Sequence, residues 1–310
     1  MQTFNKVKNN ALICISVCIC TYKRPNYLKR LLNELERQTT ENLFKISIVV
    51  VDNDVEETAK KVVATFRNSS ILNVDYCNER NQNIALARNK AVGMAKGEFI
   101  AFIDDDEFPS EKWLLSLYKD IKRYNADGIL GPVIPHFEQP PPKWVLKGRL
   151  FERPTHPTGY VMGWRNTRTG NTLLKRELFG SGQKWFDPAF GSGGEDRDFF
   201  RRKIEEGKVF VWSNEAQVFE IVPPVRWKRT VLTKRALLRG KIALKSTDSG
   251  PASILKSACA IAAYTICLPL FLVAGHHIFM KYLIKDCDHL GKVLAFLGID
   301  LVKEKYLGGY

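Results

Sequence analysis

The feature that most constrains this chain is an apolar run that ends in four consecutive acids. Residues 97–103 are short enough for a buried strand, residues 104–107 read Asp-Asp-Asp-Glu, and Pro109 is expected to prevent the strand from continuing. Four carboxylates at one strand end repel one another unless a cation lies among them, and a hard divalent cation prefers such oxygens. The run predicts a metal site that holds phosphates, and a solvated acidic turn is the alternative interpretation.

Strand and helix patterns alternate before the acids. Such alternation predicts an α/β fold with a mostly parallel sheet and helices on both faces, and right-handed crossovers bring the strand ends to one edge. The predicted order is strand 11–20, helix 27–39, strand 46–51, helix 56–66, strand 72–76, helix 84–95 and the strand that ends in the acids.

Composition limits the class of partner. The 310 residues are 45% hydrophobic, which suits a globular protein with a real core. Lys and Arg number 47 against 33 Asp and Glu, a net charge of +14, which indicates a polyanionic partner: nucleic acid, an anionic membrane surface or phosphorylated substrates. The seven cysteines include no CxxC pair, so we expect reduced thiols in the cytosol. The first apolar stretch lacks a cleavage site and is interpreted as a strand rather than a signal peptide.

The predicted sheet brings several polar side chains to one crevice. They follow successive strands and are Thr21, Arg24, Asp52, the 81–83 loop and Asp104–Asp106. A carboxylate at the end of the second strand can accept a hydrogen bond from a base or a ribose hydroxyl, and Asp52 is the candidate for that role. The sequence contains neither GxGxxG nor GxxxxGK[ST], so a metal ion rather than a glycine loop is expected to hold the phosphates.

A second group of acids lies downstream. Gly193 and Gly194 precede Glu195 and Asp196, which are expected to begin a helix. The glycines leave room for an acceptor beside the acids. The alternative interpretation is that the acids only stabilise the positive end of the helix dipole.

Five motifs in order resemble the family 2 glycosyltransferases. They lie at 17–25, 50–53, 87–89, 104–107 and 193–196, and the resemblance covers residues 11–230. It implies the GT-A fold, a nucleotide-sugar donor and inversion at the transferred sugar. It also implies a single base, since inverting transfer removes a proton from the acceptor hydroxyl while the diphosphate leaves from the opposite face.

The resemblance assigns roles residue by residue. Thr21, Arg24 and Asp52 line the nucleotide pocket, Arg88 lies near the diphosphate, and Asp104 and Asp105 contact the nucleotide. Asp106, together with Asp104, ligates the metal in a DXD motif, and Mg²⁺ and Mn²⁺ both suit these ligands. Asp196 is the base, with Glu195 beside it as a second catalytic candidate.

Two further segments of the sequence resemble one subgroup of this family. Thr169-Gly170-Asn171 and the 223–226 segment most resemble the succinoglycan-type glucosyltransferases that extend a lipid-diphosphate saccharide. Processive relatives carry a Gln where this chain has Pro223, which favours addition of one sugar. Many relatives have a His where Glu220 stands, so a metal-ligand role for Glu220 is open.

The C-terminal part changes character, and we divide the chain into a catalytic domain (1–225) and a membrane-association region (226–310). Residues 226–245 hold eight Lys or Arg and no acid among apolar positions, which predicts a basic amphipathic helix on an anionic membrane. Residues 258–280 contain no charged Lys, Arg, Asp or Glu. Because Pro269 interrupts this run and both flanks are basic, an interfacial hairpin is preferred to a transmembrane helix, and a buried core helix is the third alternative.

The combined prediction is a metal-dependent inverting glycosyltransferase of cell-surface polysaccharide assembly. It moves one sugar from a UDP-sugar, with UDP-glucose as one candidate, to a lipid-linked saccharide at the cytoplasmic face of the plasma membrane. Transfer to a lipopolysaccharide core or to a protein is the first alternative. A nucleic-acid- or membrane-binding protein without catalysis is the second. Nucleic acid is not expected as a partner, because the acid cluster would repel a phosphate backbone.

Overall fold

The structure, a computed structural model, describes residues 12–182, 185–244, 250–299 and 301–302. Within these ranges, one seven-stranded sheet has the order β3-β2-β1-β4-β8-β6-β9, and a small sheet has the order β5-β10-β7. The strands are β1 (Ile13–Thr21), β2 (Phe44–Asp52), β3 (Asn73–Asn78), β4 (Phe99–Phe102), β5 (Glu107–Pro109), β6 (Gly128–Leu130), β7 (Val133–His136), β8 (Thr172–Lys175), β9 (Phe210–Trp212) and β10 (Val218–Ile221).

The four strands nearest the N-terminus are parallel, as predicted. β1 pairs with β2 and β4, and β2 pairs with β3. Thr21 stands opposite Asp52 in the register, so the first two strands end at the same level. The sheet is not parallel throughout, because β8 runs antiparallel to both of its neighbours, β4 and β6.

Helices cover both faces of the large sheet. Their bounds are α1 (Pro25–Glu36), α2 (Lys60–Ser69), α3 (Ile84–Met94), α4 (Trp113–Arg123), α5 (Lys143–Gly148), α6 (Glu195–Glu205), α7 (Arg229–Leu244), α8 (Pro251–Ala274) and α9 (His276–Phe296). α1 shows why the helices bind the sheet: Leu28, Leu31, Leu32 and Leu35 recur at helical spacing and are all buried. One apolar core includes residues of α1, α2 and α4, and a second includes residues of α3 and α6.

The segment after the acids differs from the prediction. We expected Pro109 to end the strand, whereas the chain turns at 104–106 and resumes as β5, which pairs antiparallel with β10. Pro109 is the last residue of this three-residue strand. A proline is tolerated there because its missing N–H is not needed at the end of a short edge strand.

The C-terminal helices pack together and against the catalytic domain. α7 contacts α9, α8 contacts α9, and α5 also contacts α9. Three polar contacts define an antiparallel α8–α9 hairpin, and they join Thr265 to Asp286, Ser257 to His289 and Ser253 to Lys292. The helices separate at Gly275, whose φ of 140° suits only glycine, and Pro269 is accommodated inside α8.

The basic helix predicted over 226–245 is present as α7 within the described residues, and its association with an anionic membrane stays a prediction. α7 begins at Arg229, and its residues Leu232, Ala236, Leu238 and Gly240 are buried. The buried positions follow from its packing against α9. Lys245 lies outside the described residues. The proposed boundary at 225/226 stays a prediction.

One helix of the described chain is long and apolar enough to cross a membrane. α8 spans 24 residues with a hydropathy of 2.1 over its most apolar window, and almost none of that window is buried. Leu255, Ile266, Leu270 and Val273 are exposed on it. An exposed apolar helix of this kind fits the predicted membrane-associating C-terminal region.

Candidate active site

The acid cluster forms a tight turn rather than four equivalent ligands. The Glu107 backbone N–H donates to the Asp104 carbonyl (3.1 Å), and the Asp104 N–H donates to the Glu107 carboxylate (3.0 Å). Glu107 is buried, and burial raises the pKa of its carboxyl well above the usual value. The fourth acid therefore fixes the turn.

Asp105 connects this turn to the end of β1. The Thr21 hydroxyl donates to its Oδ2 (2.7 Å), and the Arg24 guanidinium donates to its Oδ1 (2.9 Å). Both Thr21 and Asp105 are buried. Thr21, Arg24 and Asp105 converge as predicted. In this conformation the Thr21 and Arg24 side chains both donate hydrogen bonds to Asp105.

Asp52 lies beneath the crevice. Its carboxylate accepts hydrogen bonds from the backbone N–H groups of Asp54 (3.2 Å) and Ala59 (2.8 Å) and from the Tyr76 hydroxyl (3.2 Å). It is fully buried, and burial raises the pKa of its carboxyl. The structure therefore leaves no exposed oxygen for the direct nucleotide contact expected of Asp52. The residue holds the loop after β2 in place.

Asp106 is surrounded by arginines. Its Oδ2 lies 3.0 Å from Arg24 and 3.7 Å from Arg226. Burial raises the pKa of Asp106 to about 7, against the opposing charge of Arg24. Next to it, Glu220 pairs with Arg226 (2.6 Å) and Arg153 (2.5 Å). Although burial opposes ionisation, these two arginines hold the pKa of Glu220 below its usual value.

These residues line a cavity of about 240 Å³, which we call the donor cavity. Its charged walls are Arg24, Arg88, Arg226, Arg235, Asp104, Asp105, Asp106 and Glu220. The Asp104 side chain is half exposed and makes one long contact, to Arg88 at 3.5 Å. Asp104 is thus the most accessible carboxylate of the turn.

The ligand chemistry of the donor cavity fits a divalent cation. Mg²⁺ is usually held by one or two carboxylates together with phosphate oxygens of a ligand. Asp104 and Asp106 can supply those carboxylates, and both arginine contacts of Asp106 use Oδ2, which leaves Oδ1 for a cation. Across the described residues, no three His, Cys, Asp or Glu side chains are grouped to hold a metal by themselves. The site therefore fits a cation that completes its coordination with phosphate oxygens.

Arg88 connects the donor cavity to the second group of acids. It lies on α3, whose first turn is capped by Asn83, and its guanidinium reaches both Asp104 and Glu195. Glu195 is buried in this ion pair, and its Oε2 has no hydrogen-bond partner among the described residues. Glu195 is therefore paired with Arg88 in this structure, and its catalytic role stays a prediction.

Asp196 faces a different and larger space. Gly193 and Gly194 have φ values of 128° and 96°, which other residues avoid, and they turn the chain into α6 at Glu195. Asp196 lines a cavity of about 950 Å³, which we call the junction cavity, together with both glycines. Asp198 is occupied by Arg202 (2.9 Å) and Arg201 (3.4 Å). Asp196 is therefore the acid of this turn that lines the junction cavity without an ion pair within the described residues.

Comparison with known proteins agrees with this geometry. The family model described as "Glycosyl transferase family 2" matches residues 16–181, more than half of the chain. The chain belongs to glycosyl transferase family 2. The matched part contains the acid turn, Asp52 and Arg88.

Relatives of this glycosyltransferase extend the match. It is 33% identical over 236 residues to the succinoglycan biosynthesis protein ExoM of Rhizobium meliloti, covering 75% of this chain and 74% of that protein. It is 24% identical to a glucosyl-dolichyl phosphate glucuronosyltransferase of Haloferax volcanii, over 74% of this chain and 69% of the other. The structure of Staphylococcus aureus TarS 1-349 with UDP-GlcNAc superposes with a TM-score of 0.54 at 16% identity, covering 94% and 95% of the two chains. That similarity shows the GT-A fold.

The aromatic residues of the proline-rich segment of this glycosyltransferase separate into two groups. Trp164 lines the junction cavity, with Arg165 stacked on its ring at 4.5 Å. Trp144 instead packs against His276, and Phe151 packs against Phe137. Of these three residues, only Trp164 is placed to stack on a sugar ring near Asp196.

The sequence did not single out three arginines that the structure brings to the site. Arg235 lines the donor cavity, Arg168 lines the junction cavity, and Arg153 pairs with Glu220. The position of Arg168 directly before the Thr169–Asn171 turn is a signal that could have found it. In that turn, Asn171 accepts from Trp113 and donates to two backbone carbonyls, so its role is structural.

Proposed function

We propose that this family 2 enzyme is a metal-dependent inverting transferase that moves one sugar from a UDP-sugar to a lipid-linked saccharide. One observation carries the proposal: Arg88, which lines the donor cavity, pairs with Glu195, whose chain neighbours Gly194 and Asp196 line the junction cavity. The donor cavity holds the carboxylates and arginines suited to a diphosphate, and the junction cavity holds Asp196. Donor and base would therefore lie on the two sides of a single buried contact.

The proposal for the donor is based on the charged residues that line the donor cavity. Asp104 and Asp106 would hold Mg²⁺ or Mn²⁺, which supplies positive charge to the departing diphosphate. Arg88 and Arg226 line the same cavity and would donate to phosphate oxygens. Thr21, Arg24, Asp52 and Asp105 would act mainly by holding the turn and loop that form the nucleotide pocket. TarS has been crystallised with UDP and with UDP-GlcNAc, which supports a UDP-linked donor.

Transfer itself would depend on Asp196. Its carboxylate would accept the proton of the acceptor hydroxyl while that oxygen attacks the sugar carbon opposite the diphosphate. We expect Asp196→Asn to lower turnover by about 10²–10⁴-fold and to leave UDP affinity unchanged, because the amide is not a base and lies in the other cavity. Turnover is measured with radiolabelled UDP-sugar and membrane acceptor. Loss of UDP binding in this variant would contradict the assignment.

Two kinds of observation support the proposed acceptor: the exposed apolar surface of α8 and the names of two relatives. The exposed apolar surface of α8 would associate with the membrane, at its cytoplasmic face, where nucleotide sugars are made. ExoM is named for succinoglycan biosynthesis, and the Haloferax relative is named for a glucosyl-dolichyl phosphate. These names support a lipid-linked saccharide and assembly of a surface polysaccharide. Lipopolysaccharide core or protein acceptors are the alternatives.

The donor proposal is tested by calorimetric titration of the full chain with UDP, in Mn²⁺, in Mg²⁺ and in chelator. We expect binding that requires the metal and is lost in Asp106→Asn. Asp187→Asn is the matched control, because Asp187 lines the junction cavity and caps a short turn that asparagine caps equally well. Binding of no nucleoside diphosphate under any of these conditions would overturn the donor proposal and favour a binding protein without catalysis.

A further inference from the structure

The junction cavity lies between the catalytic domain and the C-terminal helices. One wall carries Asp196 from α6 and Trp164 from the segment before β8. The other wall is made by α7, α8 and α9, which contribute Ile242, Ser253 and Lys292. The space in front of the base is therefore enclosed in part by the helices that carry the exposed apolar surface.

Within the described residues, two half-buried cations of this cavity have no carboxylate at ion-pair distance. Arg168 is half-buried and makes no ion pair within the described residues. Burial and the nearby charge of Arg153 lower the pKa of Arg168 to about 10, so its guanidinium is still charged at neutral pH. The Lys292 ammonium donates to the Ser253 hydroxyl (2.6 Å) and likewise makes no ion pair in the described part of the chain.

The neighbouring cations are already engaged. Arg239 binds Asp288 through two contacts of 3.0 and 3.1 Å, and Arg201 lies 3.4 Å from Asp198. Asp196 lies close enough to attract Arg168, but holding two half-buried positive charges without an ion pair is costly unless a ligand supplies further negative charge. Arg165 and Arg197, which also line the cavity, are exposed, so among the described residues Arg168 and Lys292 are the half-buried cations placed to bind an anionic group.

The surroundings of Lys292 indicate what carries that anionic group. Ser253 lies in the first turn of α8, and the same helix exposes Leu255 two residues later and Ile266 further along. A ligand held at Lys292 and extending along α8 would therefore need a hydrocarbon part. A phosphate ester of a lipid combines both properties, with its saccharide directed toward Asp196 and Trp164.

We propose that Arg168 and Lys292 form a phosphate-binding subsite of the junction cavity that holds the phosphate or diphosphate of a lipid-linked acceptor. The proposal rests on the proposed function, since it assigns the acceptor side of the same enzyme. The two cations donate to non-bridging phosphate oxygens, which fixes the distance between the lipid anchor and the hydroxyl that Asp196 deprotonates.

Binding of soluble probes to the detergent-solubilised full chain tests the subsite. Farnesyl diphosphate and inorganic diphosphate are titrated by calorimetry with UDP and Mn²⁺ at saturation, which keeps both probes out of the donor cavity. We expect farnesyl diphosphate to bind, and Arg168→Gln and Lys292→Gln each to weaken it about tenfold, the effect of losing one charge-assisted hydrogen bond. Lys281→Gln is the matched control, because Lys281 is an exposed lysine of the same helix.

The outcomes of these titrations distinguish the possible sources of the bound phosphate. Equal affinity for inorganic and farnesyl diphosphate overturns the lipid-linked part of the proposal. If Lys292→Gln weakens binding to phosphatidylglycerol vesicles but not to farnesyl diphosphate, the cation contacts bulk headgroups and the subsite is wrong. Unchanged farnesyl diphosphate affinity in both variants, with UDP binding intact, overturns the subsite alone. Absence of UDP binding in the wild type indicates failure of the proposed function instead.

Discussion

Gly291 makes the closest approach between α7 and α9, and replacing it with alanine is a sharp test of how the C-terminal helices serve the catalytic domain. An alanine Cβ at this position would lie 2.1 Å from the Leu237 carbonyl oxygen and 2.8 Å from the Leu237 carbonyl carbon. At Gly240, on the facing helix, an added Cβ would lie 2.0 Å from the Asp288 carbonyl oxygen. The two helices therefore cross in direct backbone contact.

The loss of folding stability expected for Gly291→Ala follows from these distances. Non-bonded carbon atoms normally keep about 3.5 Å or more, so α7 and α9 would have to separate by more than ~1 Å. Because the obstructing atoms belong to backbone, no side chain can rotate away, and the overpacking cost lies near the upper end of the usual range, about 3 kcal/mol. Alanine recovers about 1 kcal/mol as a better helix former than glycine. We expect Gly291→Ala to destabilise the protein by about 2 kcal/mol.

The assay separates the two sides of the active site. α9 carries Lys292 to the junction cavity, and α7 carries Arg239 to the junction cavity and Arg235 to the donor cavity. Gly291→Ala should therefore lower Tm by roughly 4 °C and raise the acceptor KM more than it weakens UDP binding, because both helices line the junction cavity and only α7 reaches the donor cavity. Gly93→Ala in α3 is the control, because an added Cβ meets nothing within 4 Å there and should leave stability equal or higher. Unchanged Tm and KM in Gly291→Ala would refute the close crossing.

Two further predictions concern buried groups. Glu195→Gln should destabilise the protein by about 3 kcal/mol in denaturant unfolding, because it leaves Arg88 buried without its closest counter-charge; a change under 1 kcal/mol would contradict the buried pair. Burial raises the pKa of Cys20 to about 12, so about one molecule in ten thousand carries its thiolate at pH 8. Peptide mass spectrometry after iodoacetamide treatment should find exposed Cys259 modified and Cys20 unmodified, with the Cys20 rate rising about tenfold per pH unit; rapid labelling of Cys20 at pH 8 would contradict its raised pKa.

The first half of the fold and its strand ends could be predicted from sequence because the signals are local. A continuous β-branched run, a loop and a helical repeat of leucines specify β1 and α1 without reference to the rest of the chain. Parallel pairing then follows from the alternation, and it brings Thr21 level with Asp52. Even so, the exposure of Asp52 could not be predicted, because the Tyr76 hydroxyl that covers it comes from the next strand.

Arg153 and Arg235, unlike Arg24 and Arg88, could not be predicted as site residues, because their positions depend on contacts with residues distant in the chain. Arg153 is 67 residues from Glu220 in the chain, and nothing near either residue indicates that they meet. The same holds for the crossing of α7 and α9, since Gly240 and Gly291 belong to separate helical patterns and look like ordinary interruptions. A basic segment such as 226–245 therefore suggested a membrane surface, whereas part of its charge lines the two cavities.

The two cavities differ in charge, and this difference explains why one of them needs a metal. Among the described residues, the donor cavity is lined by four arginines and four carboxylates, which balance before any ligand enters. A nucleoside diphosphate adds negative charge to this balance and requires a cation to accompany it. The junction cavity is lined by six cations and three carboxylates, so an acceptor phosphate finds its counter-charge in the protein. Chelator should therefore abolish UDP binding and leave farnesyl diphosphate binding unchanged; a metal requirement on both sides would contradict this division of charge.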